Sequence, residues 1–266
     1  MKIAIIGTGN LGKSIAKGLI TDNAITSLFL TKRNLDGIAE FEGYKNIVLT
    51  TDNQKAIKNS DIIILVVQPA HIEGILEDMS PYLTENHVLI STVTGFLIPQ
   101  IEAIIGTDKY IVRAMPNTAI AVGKSMTCLC ANKQGQKRIQ LAKAIFNRLG
   151  HSMSIPEAQM QAATVICASG VAFWMRLIRA TTQAAIQLGF DAKEAQELAM
   201  FTSEGAANLL IVSGKHPEEE IDRVTTPQGC TITGLNEMEH KGLSSSLIQG
   251  MVASFLKINE IKKEQI

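Results

Sequence analysis

The sequence predicts an α/β protein: an N-terminal Rossmann-type doubly wound sheet followed by an all-helical dimerisation domain. Three observations carry that prediction. Short apolar runs alternate with helical or loop segments up to about residue 150, the pattern of a mostly parallel sheet covered on both faces. The first run leads straight into Gly7-Thr8-Gly9-Asn10-Leu11-Gly12, and a helix-forming stretch follows. Beyond residue 150 long helical stretches replace the strands, so domains at 1–152 and 153–266 are expected.

The predicted strands are 3–6, 27–30, 47–49, 62–67, 88–91, 110–115 and 125–130. The run 62–67 is apolar at every position, as a central strand buried on both faces requires. A helix over 13–20 follows the glycines. The segment 157–188 carries few charges, and its apolar residues cover much of the helix circumference, so it is buried on most sides. A second subunit is the favoured cover, and the core of its own domain is the alternative. Asp191, with Glu194 three residues on, starts the next helix as in a capping box, and that helix ends near Ser213-Gly214. His216-Pro217 and three acids start another. A turn follows at Thr226-Pro227-Gln228-Gly229, and Ser244 to Ser246 precede a final helix that ends in lysines.

Composition narrows the function. Of 266 residues, 46% are hydrophobic and 19% charged, which fits a well-packed soluble protein. Twenty-five basic residues balance 25 acidic ones, so nothing points to nucleic acid. The longest purely apolar stretch, 62–67, is too short to span a bilayer, and the N-terminus does not read as a signal peptide, so no membrane partner is expected. Cys128, Cys130, Cys167 and Cys230 form no C-x-x-C pair and have no nearby histidine, so no metal is expected and a cytoplasmic, reduced location is the simplest account.

The glycine motif stands where a dinucleotide pyrophosphate binds. Gly7 turns the chain, Gly9 lets backbone approach the phosphates, and Gly12 lets helix lie close on strand. Thr8, Asn10 and Leu11 complete the loop, and the helix start offers free N–H groups to the anion. About 20 residues on, where NAD-binding proteins place an acid for the ribose 2′-hydroxyl, stand Thr31, Arg33 and Asn34. A guanidinium pairs with a 2′-phosphate where a carboxylate repels it, so NADPH is favoured over NADH. A solvated basic loop is the other reading of this segment. Ligands in open sheets lie beyond the carboxyl ends of strands. That rule adds Val67, Gln68 and Pro69 after the fourth strand, Thr94 and Gly95 after the fifth, and Met115, Pro116 and Asn117 after the sixth. Each is also readable as a plain connection. His71 is the lone histidine near this face and is read as structural or exposed. Downstream, hydroxyls and a Pro/Gly turn stand before a helix, and their free N–H groups suit a small carboxylate. An N-capping turn without a ligand is the alternative.

Arg113-Ala-Met-Pro-Asn-Thr118, Ala168-Ser-Gly170, Leu188-Gly189, Ser213-Gly214-Lys-His-Pro217 and the run from Asp222 to Leu235 follow the glycine fingerprint in order. With these pieces the chain resembles the pyrroline-5-carboxylate reductase family over nearly its whole length. The resemblance implies reduction of the C=N bond of pyrroline-5-carboxylate to proline with NADPH, or with NADH, by a homodimer joined through its helical domain, often assembled further. It sets Met115, Pro116 and Asn117 on the nicotinamide side. Gln228, Gly229 and Cys230 come near the substrate carboxylate, with Thr226, Ser169 and Phe173 also at the substrate, where the Thr226 hydroxyl can meet the ring nitrogen, and Thr231 stands beside that nitrogen as the catalytic residue. The chain departs from the family's pattern where Ser-Gly-Pro-Ala-Tyr becomes Ser169-Gly-Val171-Ala-Phe173 and Pro-Gly-Gly becomes Pro227-Gln228-Gly229. Gln68, Ala119 and Gln161 replace a lysine, a proline and an aspartate. These departures leave a related cyclic imine or keto acid as an alternative substrate, and a non-catalytic NADP-binding scaffold as an alternative function.

Overall fold

The computed structural model describes residues 1–20 and 22–264, with side-chain surroundings described as far as 258. Eight strands form one sheet: β1 (Lys2–Ile6), β2 (Ser27–Thr31), β3 (Ile47–Thr50), β4 (Ile62–Leu65), β5 (Val88–Ser91), β6 (Tyr110–Met115), β7 (Ser125–Ala131) and β8 (Gly150–Ser154), in the order β3-β2-β1-β4-β5-β6-β7-β8. β1 to β6 pair in parallel, β7 runs antiparallel to β6, and β8 lies parallel to β7.

Period-two alternation gives each central strand two apolar faces. Ile3, Ile5, Ile62 and Ile64 enter one core with Ile15, Ala16 and Leu19 of α1 (Asn10–Leu19). Ala4, Ile6, Ile63 and Leu65 enter the other, which also takes Ala56 and Ile57 of α2 (Asn53–Lys58). Ile72, Leu76 and Met79 of α3 (Ile72–Met79) and Ile98, Ile101 and Ile105 of α4 (Ile98–Ile105) complete that second core. Ile139, Ala142, Ile145 and Phe146 of α5 (Ile139–Phe146) cover the first. Helices therefore sit on both faces, as the doubly wound reading requires. β1 lies between β2 and β4, with Ile6 opposite both Thr31 and Leu65. The winding direction reverses there, and a crevice opens at the carboxyl ends of β1 and β4.

The strand predicted over 62–67 ends at Leu65, so Val66 and Val67 belong to the loop. β8 was not expected. Its sequence, Gly-His-Ser-Met-Ser, is polar, and only Ser152 is buried, because an edge strand needs no apolar face. Gly150 has φ +143, and a side chain there would overlap the Ser125 backbone.

The chain divides into two compact units, Met1–Ser169 and Gly170–Ile261, later than the expected division at 152. The segment between belongs with the sheet. Glu157 Oε1 accepts from Ile98 N–H at 2.8 Å and from Arg113 Nη1 at 2.9 Å, and Met160, in α6 (Met160–Ala163), and Val165 are buried. The long apolar segment is not one uniform helix. A 3₁₀ turn at Glu157–Gln159, α6 and a π-helical turn at Thr164–Ser169 precede α7 (Gly170–Gln187).

The second unit is helical: α7, α8 (Ala192–Ser213), α9 (Pro217–Val224), α10 (Cys230–His240) and α11 (Leu243–Glu264). Asp191 Oδ1 accepts from the N–H groups of Lys193 and Glu194 at 2.8 and 2.9 Å, and Gly214 closes α8 in the left-handed conformation. His216 caps α9, with Pro217 in its first turn. Ser244 to Ser246 lie inside α11 rather than before it, because the preceding helix ends at His240 and Gly242 (φ +80) makes the turn. α7 and α8 pack on each other, yet Trp174, Phe201 and Val212 remain 61%, 67% and 86% exposed. By length and composition the run Glu157–Gln187 could also cross a membrane, a possibility that the short apolar run 62–67 does not raise. Arg176 and Arg179 lie within it.

Candidate active site

The glycine loop is shaped first by collisions. Gly7 has φ +94, and a Cβ there would stand 2.5 Å from Val66 O and 2.6 Å from Val67 Cγ1. A Cβ on Gly12 would meet Gly7 O at 2.6 Å. Only glycine lets β1, the β4 loop and α1 come this close. Gly9 differs: a Cβ there would meet nothing within 4 Å, so the protein itself does not require its bareness. The first helical hydrogen bond of α1 runs from Lys13 N–H to Gly9 O, at 2.9 Å. The N–H groups before it have no side-chain cap, and no acid lies in the first turn. Open space beside Gly9, uncapped donors and the positive end of α1 suit an anionic group such as a pyrophosphate.

A cavity of about 740 Å³ lies against this loop. Its wall includes the predicted Gly7, Thr8, Gly9, Thr31, Arg33, Asn34, Val67 and Gln68. The Thr8 hydroxyl is fully buried with no hydrogen-bond partner, an orphan that a ligand oxygen can satisfy. Thr31 is buried, and its hydroxyl accepts from Gly7 N–H at 3.4 Å, so it helps to hold the loop. Arg33 is exposed and forms no ion pair among the described residues. Asn34 Oδ1 already accepts from Asp36 N–H at 2.9 Å, which leaves its amide N–H groups for a ligand. Among the described residues no carboxylate lines this wall, which suits a phosphate group at this end of the cavity.

Lys32, Thr51, Asn53, Ala70, His71 and Gly74 line the same cavity without having been singled out as ligand residues. Thr51 and Asn53 follow β3, and the strand-end rule applied to that strand would have found them. Asn10, Leu11, Gly12 and Pro69 do not line it. Neither do Thr94, Gly95, Met115, Pro116 and Asn117, which form a separate group beyond β5 and β6. Within that group Thr94 Oγ1 lies 3.9 Å from Met115 Sδ. Asn117 has its polar atoms engaged: its N–H donates to Ser125 Oγ at 3.1 Å, Oδ1 accepts from Ala119 N–H at 3.0 Å, and Nδ2 donates to Cys167 O at 3.0 Å. Its side chain fixes the loop, in which Met115 and Pro116 are themselves buried. Arg113 is 3% exposed, and its bond to Glu157 anchors β6 behind this loop.

The second unit supplies a different anion-binding shape. Gly229 N–H donates to Thr226 O at 2.9 Å, closing the turn, and a Cβ on Gly229 would overlap the Thr226 hydroxyl. Gln228 stands at φ +58, a left-handed conformation that costs a non-glycine residue energy. α10 then starts at Cys230 with no side-chain cap and no acid in its first turn. The hydroxyl of Thr231 has no partner among the described residues, and Thr233 bonds back to Gly229 O at 3.0 Å. No Ser or Thr side chain therefore caps this turn. Ser169 ends the π-helical turn of the first unit, and Phe173 lies one turn into α7. Among the described residues no group of three or more His, Cys, Asp and Glu side chains could hold a metal ion.

Comparisons with known proteins agree with both halves. A family model described as pyrroline-5-carboxylate reductase dimerisation matches residues 157–261, and one described as NADP oxidoreductase, coenzyme F420-dependent, matches 2–95. The chain is 41% identical over 270 residues to pyrroline-5-carboxylate reductase 2 of Dictyostelium discoideum, covering 95% of this chain and 90% of that protein. It is 45% identical over 268 residues to pyrroline-5-carboxylate reductase 1 of the same organism; that match covers 95% of this chain but spans only about half, 48%, of the relative's length. Among solved structures, a pyrroline-5-carboxylate reductase from Coxiella burnetii superposes with a TM-score of 0.91 at 29% identity, covering 97% of each chain. A Plasmodium falciparum pyrroline carboxylate reductase with NADP bound gives 0.85 at 25% identity over 98% of each.

Proposed function

This chain belongs to the pyrroline-5-carboxylate reductase family, and we propose that it reduces the C=N bond of pyrroline-5-carboxylate to give proline, with NADPH as reductant. The observation that carries the reading is the glycine loop: open space at Gly9, uncapped donors on α1 and the exposed Arg33 on one cavity wall.

The residues fit the cofactor. Gly7 to Gly12, with Thr8, hold the pyrophosphate, and Arg33 and the Asn34 amide meet the 2′-phosphate, with Thr31 bracing the loop. Val67, Gln68 and Pro69 border the ribose. Thr94, Gly95, Met115 and Pro116, held by Asn117, border the nicotinamide. When bound, the reduced nicotinamide supplies the hydride that the imine carbon accepts. The uncapped N–H groups at the start of α10, from Cys230 and Thr231, grip the substrate carboxylate beside Gly229, with Thr226 and Gln228 framing it. The free hydroxyl of Thr231 hydrogen-bonds the ring nitrogen and manages its proton. Ser169 and Phe173 complete the substrate's surroundings. The protein's contribution is chiefly positioning.

The apolar faces around Trp174, Phe201 and Val212 support a homodimer through the helical unit. Four unpaired cysteines fit a cytoplasmic location. Gln228 favours one second reading, a related cyclic imine, because its strained backbone puts a side chain at the carboxylate turn.

Assaying cofactor oxidation against several cyclic imines tests the proposal. Pyrroline-5-carboxylate should oxidise NADPH, and Thr231→Ala should lower turnover with cofactor affinity nearly unchanged. Tight NADPH binding without oxidation on any imine would reduce the protein to a cofactor-binding scaffold.

A further inference from the structure

Cys128 stands on β7 opposite Met115 of β6, and Cys167 stands on the π-helical turn Thr164–Ser169. Their sulfurs are 3.9 Å apart, although 39 residues separate them in sequence. Both belong to the sheet unit. A disulfide needs an S–S length near 2.05 Å, so closure takes a movement of roughly 2 Å. Cys167 stands in a π-helical turn, which holds an extra residue against regular helical pairing. The sulfurs lie within hydrogen-bonding reach: donation from the Cys128 S–H brings the Cys167 pKa down to about 7, while the same bond and burial push Cys128 up. Cys167 is also the less buried of the two, which makes it the sulfur an oxidant meets first.

We propose that Cys128 and Cys167 form an oxidisable dithiol, which a peroxide closes into a disulfide beside the loop of Met115, Pro116 and Asn117. The Cys167 thiolate attacks one peroxide oxygen. The O–O bond breaks, Cys167 becomes a sulfenic acid, and the leaving oxygen departs as water after taking up a proton. The Cys128 sulfur then attacks the sulfenic sulfur, forming the S–S bond and releasing a second water. In total two thiols are oxidised, and one peroxide is reduced to two waters. The closure reports to the loop through Asn117, whose Nδ2 donates to the Cys167 carbonyl at 3.0 Å. Displacing Cys167 therefore strains the residue that fixes the Met115–Pro116 loop. This last effect rests on the proposed NADPH site, whereas the disulfide itself does not.

The test maps cysteines in the intact protein after treatment with hydrogen peroxide. Peptides bearing Cys128 and Cys167 should appear cross-linked, lighter together by two hydrogens, and alkylation should fall at both positions in step. Dithiothreitol should restore both. NADPH binding, followed by its fluorescence, should weaken severalfold in the oxidised form and recover on reduction. In Cys128→Ser, Cys167 should progress to sulfinic acid instead of cross-linking. The proposal is overturned if both thiols stay alkylatable while exposed Cys230 oxidises, or if native Cys167 accumulates sulfinic acid without a cross-link. Cross-linking with unchanged NADPH binding overturns the coupling through Asn117. Because mapping needs no turnover, failure of the imine-reductase reading would show separately, as a reduced protein that oxidises no cofactor.

Discussion

Arg33 illustrates how one side chain can define a cofactor. It is exposed, without an ion pair among the described residues, and on the wall of the cavity that starts at Gly7. Lys32 beside it is engaged, donating through Nζ to Gly37 O at 3.4 Å. If Arg33 meets a 2′-phosphate, Arg33→Asp removes an attraction and adds a repulsion. The KM for NADPH should rise by roughly tenfold or more, with little change for NADH. Steady-state kinetics with both cofactors checks this, and equal changes would return Arg33 to an ordinary solvated loop. The position of Arg33 was legible because a strand end about 20 residues past the fingerprint is a fixed feature of this architecture. The same strand-end rule, applied to β3, reaches Thr51 and Asn53, which join the cavity because β3 pairs with β2. Asn117 stands out in the sequence as a candidate, but its bond to Cys167 O spans 50 residues and no spacing announces it.

At the scale of elements, local rules worked where the signal was local. Asp191 starts α8 as its sequence predicts, accepting two backbone N–H groups. Asp191→Ala should destabilise the helical unit by about 1 kcal/mol. Thermal unfolding at fixed protein concentration measures it, and an unchanged midpoint would mean that the cap carries no net stability. β4 was readable from an unbroken apolar run. β8 was not, since a polar pentapeptide becomes a strand only because β7 offers it a free edge. The π-helical turn at Thr164–Ser169 was equally hidden. Its residues read as ordinary apolar helix, and the extra residue shows only in the backbone hydrogen bonds.

For the molecule as a whole, the helical unit buries few large side chains of its own, and Trp174, Phe201 and Val212 stay exposed. If a second copy covers them, light scattering at micromolar concentration should show a dimer or a multiple of it. A stable monomer there would contradict the shared helical face and leave the exposed apolar surface unexplained. The sequence by itself determined the doubly wound sheet, the fingerprint loop, the caps of α8 and α9 and the family, because periodicity, glycines and capping residues act over a few positions each. The tertiary structure decided which residues share the cavity, where the two units divide, that Asn117 supports the loop with all its polar atoms, and that Cys128 meets Cys167. These depend on strand order and long-range packing, where residues distant in the chain become neighbours through the summed burial of the whole fold rather than through any local preference.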